Sequence, residues 1–270
     1  STVGTPEPTR TLSISVTDAL GGTTTEEVVV EITSTNAAPV ATDDALSIDA
    51  GAVGEFQVNQ RTGNVQSDSS VVQLSDGRVL FLWDSADGVD DSSGRSIKGR
   101  ILNADGTEDV SEFLVNQDTD SSQIDPSVTV LADGGFIIAW QTFDGDDPDL
   151  YGIKGRLFNA DGSARGDEFL VNTLTDGNQT LPVVTALKNG GFVVVWQSDD
   201  PQQGDNEVAG IKARVFDADG NEVVSEFLVN EFTTSSQIDP TVTALADGGF
   251  VVVWDSSDRA QTDPGIGIKA

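Results

Sequence analysis

A strand-like apolar run that ends in tryptophan recurs four times along the chain. Its clearest copy spans residues 135–140. The copies end at Trp83, Trp140, Trp196 and Trp254, which are the only four tryptophans. They are 57, 56 and 58 residues apart, and a fixed period of this size is typical of repeat architectures. The hydrophobic pattern therefore predicts a repeated supersecondary unit.

Each unit contains four short apolar segments separated by turn residues. In the second copy the first three are Val128–Leu131, the tryptophan segment and Gly152–Phe158. The fourth is the Glu-Phe-(Leu/Gln)-Val-Asn segment that opens the next copy. Four short strands joined by hairpin turns form one antiparallel meander.

The tryptophan segment is apolar on both faces. In the fourth copy Phe250, Val252 and Trp254 alternate with two valines, so a strand here must be covered on both sides. Radially arranged sheets cover both faces, whereas a sandwich with one wet face does not. The pattern predicts an all-β chain with the blades of a β-propeller.

The copies open at Glu55, Glu112, Glu168 and Glu226, and the fourth has no Glu-Phe segment after it. The spare segment Phe56–Asn59 would complete the last blade. Closure of this kind would remove the exposed sheet edges. We therefore expect residues 55–270 to form a propeller-like ring of four four-stranded antiparallel blades. A larger propeller cut short and a linear array of repeats are the alternatives.

The N-terminal region follows a different pattern. Leu12–Val16 alternates with period two, and a turn with two glycines separates it from a second strand at Val28–Ile32. These strands predict a partial β segment at 1–33. Residues 34–54 are rich in Ala, Asp, Thr and Gly, as expected of a linker. The chain starts in mid-pattern with no signal region, which suggests a fragment of a longer protein.

Charge and composition narrow the classes of function. There are 45 acidic and 14 basic residues, a formal charge of -31. This charge disfavours nucleic acid and anionic membrane surfaces as partners. The chain has no Cys, His or Met, which excludes disulfides, thiolate zinc sites and Ser-His-Asp triads. Its apolar runs are too short for a membrane helix, so we expect no direct membrane insertion.

An acidic loop follows each tryptophan and is the candidate metal site. Clusters of carboxylates with backbone carbonyls supply the six to eight oxygens that calcium takes, so calcium is the expected cofactor. A solvated surface loop is the alternative, because loop sequence and length vary between copies. The candidate ligands are Asp84, Asp87, Asp90, Asp91, Asp144, Asp146, Asp147, Asp149, Asp199, Asp200, Asp205, Asp255, Asp258 and Asp263.

Two further patterns have simpler interpretations. The (Asn/Asp)-Ala-Asp-Gly motif, as at Asn159–Gly162, is half of a calcium loop, but it is also a plain hairpin turn. Lys and Arg at i and i+2, as at Lys154 and Arg156, lie on one face of a strand. Glutamates such as Glu168 on the adjoining strand favour cross-strand ion pairs, and a site for anionic sugars is the alternative.

The four tryptophans are the candidate ligand-binding residues. Trp83, Trp140, Trp196 and Trp254 close a strand at a rim or channel, where they could stack on sugar rings; core packing is the alternative. The Ser-x-Asp-x-Gly-x-x-Trp box of sialidase-type propellers fails at Asp133, because the Ser is missing and Trp140 comes too late. No carboxylate pair stands out as an acid and base, so the sequence predicts a protein that is not an enzyme.

Two resemblances extend this picture. The segment from Val16 to Asp44, with its Asn36-Ala-Ala-Pro39 linker, resembles the end of a bacterial cadherin-like or immunoglobulin-like repeat. The block from Glu112 to Gly162 is similar to tandem repeats of large RTX-type bacterial surface adhesins. These resemblances imply an extracellular or bacterial cell-surface location.

They also imply a calcium-stabilised, non-enzymatic module that binds a glycan or protein on another cell or surface. The alternative is a structural subunit of a surface layer, filament or matrix that assembles with copies of itself. A hydrolase on a propeller would need a cleft with paired carboxylates of raised pKa.

Overall fold

The computed structural model describes residues 10–17, 23–30, 55–89, 94–143, 151–199, 209–231, 233, 235–257 and 267–270. The chain divides into two units, Ser1–Glu55 and Phe56–Ala270. Among the described residues, no helix has the length and apolar character needed to cross a membrane.

The first unit contains one antiparallel hairpin. Strands β1 (Arg10–Thr17) and β2 (Thr23–Val30) pair with Leu12 opposite Val28. The predicted hairpin is therefore present, with its second strand starting earlier in the sequence. A hairpin is common to many folds, so it does not establish a cadherin-like or immunoglobulin-like domain. The division into a segment at 1–33 and a linker at 34–54 stays a prediction.

The second unit consists of four antiparallel sheets, named here sheets one to four. Sheet one has β3 (Gln66–Gln73), β4 (Val79–Ser85), β5 (Ser96–Leu102) and β6 (Glu108–Leu114). Sheet two has β7 (Gln123–Val130), β8 (Phe136–Thr142), β9 (Gly152–Phe158) and β10 (Phe169–Leu170). Sheet three has β11 (Gln179–Ala186), β12 (Phe192–Ser198), β13 (Gly210–Phe216) and β14 (Glu222–Leu228). Sheet four has β15 (Gln237–Ala244), β16 (Phe250–Ser256) and β17 (Gly267–Lys269).

Each sheet is a meander whose spatial order follows the chain. The first strands β3, β7, β11 and β15 lie side by side, each in contact with the next. Hydrogen bonds join them: Val184 N–H donates to Ser127 Oγ (3.1 Å), and Ala186 N–H donates to Thr129 Oγ1 (3.2 Å). The all-β prediction is confirmed. Sheets one to three are four-stranded and antiparallel, sheet four has three described strands, and the arrangement is consistent with a propeller.

The hydrophobic core lies between successive sheets. Leu80 and Leu82 of β4 pack against Phe136, Ile138 and Trp140 of β8, and the same alternation repeats between sheets two and three. Every residue of β8 is buried, as the two apolar faces of the tryptophan strand predict. Trp140, Trp196 and Trp254 therefore each face the sheet that precedes their own.

The outer faces of sheets one and four are not packed in this way. Val71 is 61 % exposed on sheet one and Val251 is 38 % exposed on sheet four, whereas Val193, the counterpart of Val251 in sheet three, is completely buried. Residues 55–59 form no strand. The carbonyl of Val58 instead accepts a hydrogen bond from Arg100 of β5 (2.6 Å). The predicted use of this segment as the last strand of sheet four is not seen.

The Val-Asn pair of the repeat motif ties each sheet to the next. Asn116 Oδ1 accepts a hydrogen bond from the Ile97 N–H (2.8 Å), while the neighbouring Val115 carbonyl accepts one from Arg156 Nη1 of β9 (2.8 Å). The same pair of contacts recurs at Asn172 and Val171. One dipeptide therefore closes one sheet and contacts the following one.

The Lys and Arg residues at i and i+2 of one strand, called here the basic stripe, form the predicted cross-strand ion pairs. Lys154 Nζ lies 2.9 Å from Glu168 Oε1, and Lys212 Nζ lies 2.9 Å from Glu226 Oε1. The second of these pairs is almost completely buried, since the Lys212 and Glu226 side chains are only 1 % and 3 % exposed. The (Asn/Asp)-Ala-Asp-Gly motif forms a plain turn, with Gly162 at a φ of 84° and its N–H bonded to the Asn159 carbonyl.

Candidate active site

The first strand of every sheet carries a bulge at the same repeat position. The pairing register shifts between Ser67 and Ser70 in β3, and at the corresponding places in β7, β11 and β15. In three of the four copies the bulge contains a proline: Pro126, Pro182 or Pro240. Because proline cannot donate a ladder hydrogen bond, it is confined within sheets to edges and bulges.

One residue in each bulge has a left-handed backbone. These residues are Asp68 (φ 49°), Asp125 (φ 53°), Leu181 (φ 52°) and Asp239 (φ 52°). Aspartate tolerates this conformation better than most residues, because its short polar side chain can bond locally. Leucine has no such compensation, so the third copy keeps a conformation that its residue type disfavours.

The four bulges surround one open cavity of about 390 Å³, called here the axial cavity. Asp68, Asp125 and Asp239 line this cavity, and Leu181 takes the fourth position. Asp125 is half-buried, whereas Asp68 and Asp239 are exposed. The fold thus brings to one cavity three aspartates that are far apart in the sequence.

The environment of Asp125 raises the pKa of its carboxyl group. Burial is the main cause that raises its pKa above the ordinary value, and the negative charges of Asp68 and Asp84 raise it further. The positive charge of Arg95 acts in the opposite direction. Burial and like charges both disfavour the ionised form of a carboxyl group, so Asp125 holds its proton to a higher pH than an ordinary aspartate.

Arg95 links the carboxylates of sheet one. Its Nη1 donates to Asp84 Oδ2 (2.6 Å) and to Ser67 Oγ (2.9 Å), and lies 3.9 Å from Asp68 Oδ2. Asp84 is completely buried, and its Oδ1 accepts a hydrogen bond from Ser67 Oγ (2.7 Å). Arg95 and Ser67 therefore fix the position of a buried negative charge close to the axial cavity.

This arrangement has the elements of acid–base chemistry. A proton donor needs a carboxyl group with a raised pKa, and a base needs a second carboxylate in a different environment. Asp125 matches the first requirement, and Asp68 and Asp239 are available for the second. No carboxylate pair stands out in the sequence, because Asp68, Asp125 and Asp239 come to one cavity only when the sheets assemble.

The predicted tryptophan sites lie mostly inside the core. Trp140 and Trp196 have no exposed surface, so a sugar ring has no access to them. Trp83 and Trp254 are 5 % and 8 % exposed. Ligand stacking stays a prediction for these last two residues.

Four of the predicted metal ligands lie among the described residues. Asp84 pairs with Arg95, and Asp87 Oδ2 lies 3.8 Å from Lys98 Nζ and 3.7 Å from Arg61 Nη1. Asp199 donates its N–H to the Asn178 carbonyl, and Asp255 pairs with Ile238 in the β15–β16 ladder. Within the described ranges, no group of three or more acidic residues could hold a metal ion.

The remaining predicted ligands fall outside the described residues, and calcium binding there stays a prediction. They are Asp90, Asp91, Asp144, Asp146, Asp147, Asp149, Asp200, Asp205, Asp258 and Asp263.

The sequence contains one signal for the axial cavity, an Asp-Pro pair inside a strand. Asp125-Pro126 and Asp239-Pro240 both fall inside a strand. A proline within a strand pattern indicates a bulge or an edge, and a repeated bulge places the residue before it at equivalent points of every blade. Copy one hides this signal, because Ser69 replaces the proline.

Comparison with known proteins finds solved structures that resemble this chain. The chain matches a protein of unknown function from Dyadobacter fermentans with a TM-score of 0.50 and 15 % identity, covering 71 % of this chain and 61 % of that one. An α-L-arabinofuranosidase of Fusarium graminearum matches with a TM-score of 0.49 and 14 % identity, over 74 % and 60 % of the two chains. An endo-arabinase of Bacteroides thetaiotaomicron matches with a TM-score of 0.44 and 12 % identity, over 74 % and 72 %.

The sequence matches no protein-family model and no curated protein. At the identities found, the likeness to solved structures shows a shared fold.

These matches correct the assignment to RTX-type adhesin repeats, because they are named as an α-L-arabinofuranosidase, an endo-arabinase and a protein of unknown function. The same matches contradict the functional expectations that went with this assignment. These expectations are a non-enzymatic adhesion module, a self-assembling surface subunit or filament, adhesion partners on another cell and the absence of enzymatic activity. The extracellular location is a separate prediction and stays one.

Proposed function

We propose that this chain is a glycoside hydrolase whose active site is the axial cavity. The observation that carries the proposal is the placement of Asp68, Asp125 and Asp239 around one cavity by the same strand bulge, with the pKa of Asp125 raised. Hydrolysis of a glycosidic bond requires two carboxyl groups in different protonation states. A chain without histidine or cysteine can supply both from aspartate alone.

In this mechanism Asp125 is the general acid. Its carboxyl group donates a proton to the glycosidic oxygen as the bond to the anomeric carbon breaks. Asp68 or Asp239, as the base, accepts a proton from the water molecule that attacks the anomeric carbon. The cavity is open, so a glycan chain can reach it from solvent.

The first test is hydrolysis of arabinan, xylan and 4-nitrophenyl α-L-arabinofuranoside by the full chain. Asp125→Asn keeps a residue that tolerates the left-handed backbone but cannot donate the proton. We expect it to slow hydrolysis of polysaccharide by about 10²–10⁴-fold, the usual contribution of a general acid. Activity on a 2,4-dinitrophenyl glycoside should fall much less, because that leaving group departs without protonation.

Asp161→Asn is the matched control, since Asp161 is an exposed turn residue. It should leave both activities unchanged. No hydrolysis of any of these substrates by the unmodified chain would contradict the proposal, as would equal loss of activity in the two variants.

We also propose that the four sheets are four blades around the axial cavity. The contacts between successive first strands and the shared lining of the cavity support this arrangement. Cysteines introduced at Val71 and Val251 report whether sheets one and four meet. We expect no cross-link under oxidation, because both valines are exposed on the outer faces of these sheets; a rapid cross-link would mean that the two sheets close the ring.

A further inference from the structure

The tryptophan of sheet one differs from the other three in its hydrogen bonding. Trp140, Trp196 and Trp254 each donate their indole N–H to a glutamine at the start of the preceding strand. The acceptors are Gln123, Gln179 and Gln237, at 3.3, 2.9 and 2.7 Å.

Copy one has the same residue types but not the same bond. Gln66 stands at the corresponding position. Its amide nitrogen donates to the Gly63 carbonyl (3.1 Å), as that of Gln123 donates to the Asp120 carbonyl (3.2 Å), so the difference lies in the missing bond from the tryptophan. Trp83 Nε1 is buried and has no hydrogen-bond partner among the described residues. A buried donor without a partner destabilises the fold, and buried polar groups in folded proteins nearly always have a partner.

Trp83 lines a cavity of about 430 Å³ on the outer face of sheet one. Phe81 stands two residues before it and faces the same cavity, so the wall has two neighbouring aromatic rings. Gln66, Asn59 and Ser67 add amide and hydroxyl groups to the lining. Apolar walls with a few polar groups are typical of small-ligand sites.

This cavity adjoins the axial cavity. Asp68, Ser69 and Ser70 line both of them. A chain molecule bound across the carboxylates of the axial cavity would therefore extend over the outer face of sheet one.

We propose that the cavity at Trp83 binds a sugar residue of the glycan chain whose glycosidic bond lies in the axial cavity. This inference rests on the proposed hydrolase function for the direction of the chain. The apolar face of a sugar ring would lie against Trp83 and Phe81, and one of its hydroxyl oxygens would accept the hydrogen bond of the free indole N–H. Aromatic rings with a polar N–H suit a ligand that is apolar on one side and polar at its edge.

The proposal is tested by binding in an Asp125→Asn background, where turnover is suppressed. The probes are arabinotetraose, xylotetraose and the corresponding monosaccharides, titrated by calorimetry. We expect Trp83→Phe to weaken binding of one of the tetraoses about tenfold, with little effect on the monosaccharide. Trp254→Phe is the matched control, because Trp254 already has a partner in Gln237, and it should bind as before.

Thermal unfolding separates a lost binding group from a damaged fold. Trp83→Phe removes a donor that has no partner, so the melting temperature should change little. Trp196→Phe breaks a bond of 2.9 Å inside the core, so its melting temperature should fall.

Three results would overturn the proposal. The first is that neither tetraose binds to the chain. The second is that Trp83→Phe binds both tetraoses as well as the parent does. The third is that Trp254→Phe weakens binding as much as Trp83→Phe does. The function of the axial cavity is measured separately, by hydrolysis of the 4-nitrophenyl glycoside. Binding that depends on Trp83 without hydrolysis would leave this site standing and reject the hydrolase.

Discussion

At the residue scale, the backbone conformation of the bulges decides which side chains reach the axial cavity. Asp125 occupies a left-handed position that aspartate and asparagine tolerate. Its carboxyl group is then half-buried near two other negative charges. The structure therefore holds a carboxyl group in an environment that opposes its ionisation, as active sites often do.

We predict that Asp125→Asn stabilises the protein at neutral pH. The folded-state pKa of Asp125 lies above the unfolded value, so the native state binds more protons in that interval. Stability is then lost as the pH rises through the folded pKa. The asparagine variant avoids this loss. Its melting temperature should exceed that of the parent at pH 7, and the difference should disappear below the ordinary carboxyl pKa.

Asp161→Asn provides the opposite sign in the same experiment. Hydrogen bonds from the Ser163 hydroxyl and backbone N–H lower the pKa of Asp161. Its stabilising contribution is present above the unfolded pKa and is lost as the pH falls through the folded pKa. A parent chain that is more stable than Asp125→Asn at pH 7 would contradict the environment inferred for Asp125.

At the element scale, burial changes the importance of the basic stripe. Lys212 on β13 and Glu226 on β14 form a pair that is almost completely buried, and Glu226 Oε2 also accepts hydrogen bonds from Thr173. On the same two strands, Arg214 pairs with Glu222, whose side chain is 41 % exposed. Each pair joins a basic side chain to a glutamate, and the two pairs differ in exposure.

We predict that Lys212→Met destabilises the protein by about 3–5 kcal/mol, because it leaves a buried carboxylate without its cation. Glu222→Gln should cost less than about 1 kcal/mol, as expected for an exposed pair. Urea unfolding followed by tryptophan fluorescence measures both. Lys212→Met combined with Glu226→Leu should recover much of the loss. Equal effects of the two single substitutions would contradict the role assigned to burial.

At the scale of the whole molecule, the excess of acidic residues dominates. A formal charge of -31 causes self-repulsion in the compact state. Salt shortens the range of this repulsion from about 30 Å at 0.01 M to about 8 Å at 0.15 M. The net charge therefore opposes folding most strongly at low ionic strength.

We predict that the melting temperature rises by about 2–4 °C between 10 and 150 mM sodium chloride, which corresponds to about 1 kcal/mol for a chain of this size. Differential scanning calorimetry measures it. A fall in melting temperature would mean that screened ion pairs matter more than net repulsion. Calcium chloride and magnesium chloride at equal ionic strength separate screening from binding, and a rise specific to calcium would support metal sites in the acidic loops.

The sequence by itself determined the repeat and the strands. Apolar residues on both faces of the tryptophan segment require cover on both sides, and only stacked sheets provide it for four successive copies. The turns follow from Asn, Asp and Gly at fixed positions. The paired Lys and Glu follow from their places on adjoining strands.

Only the tertiary structure decided where the chemistry lies. Asp68, Asp125 and Asp239 come together because equivalent bulges of separate sheets meet around one cavity. The spacing of these residues along the chain does not show that they line the same cavity. The sequence also does not show that Lys212 is buried. Nor does it show that the Trp83 indole N–H lacks the hydrogen-bond partner that the other three tryptophans have. Local patterns set which strands form, whereas the environment of each side chain depends on which sheets pack around it.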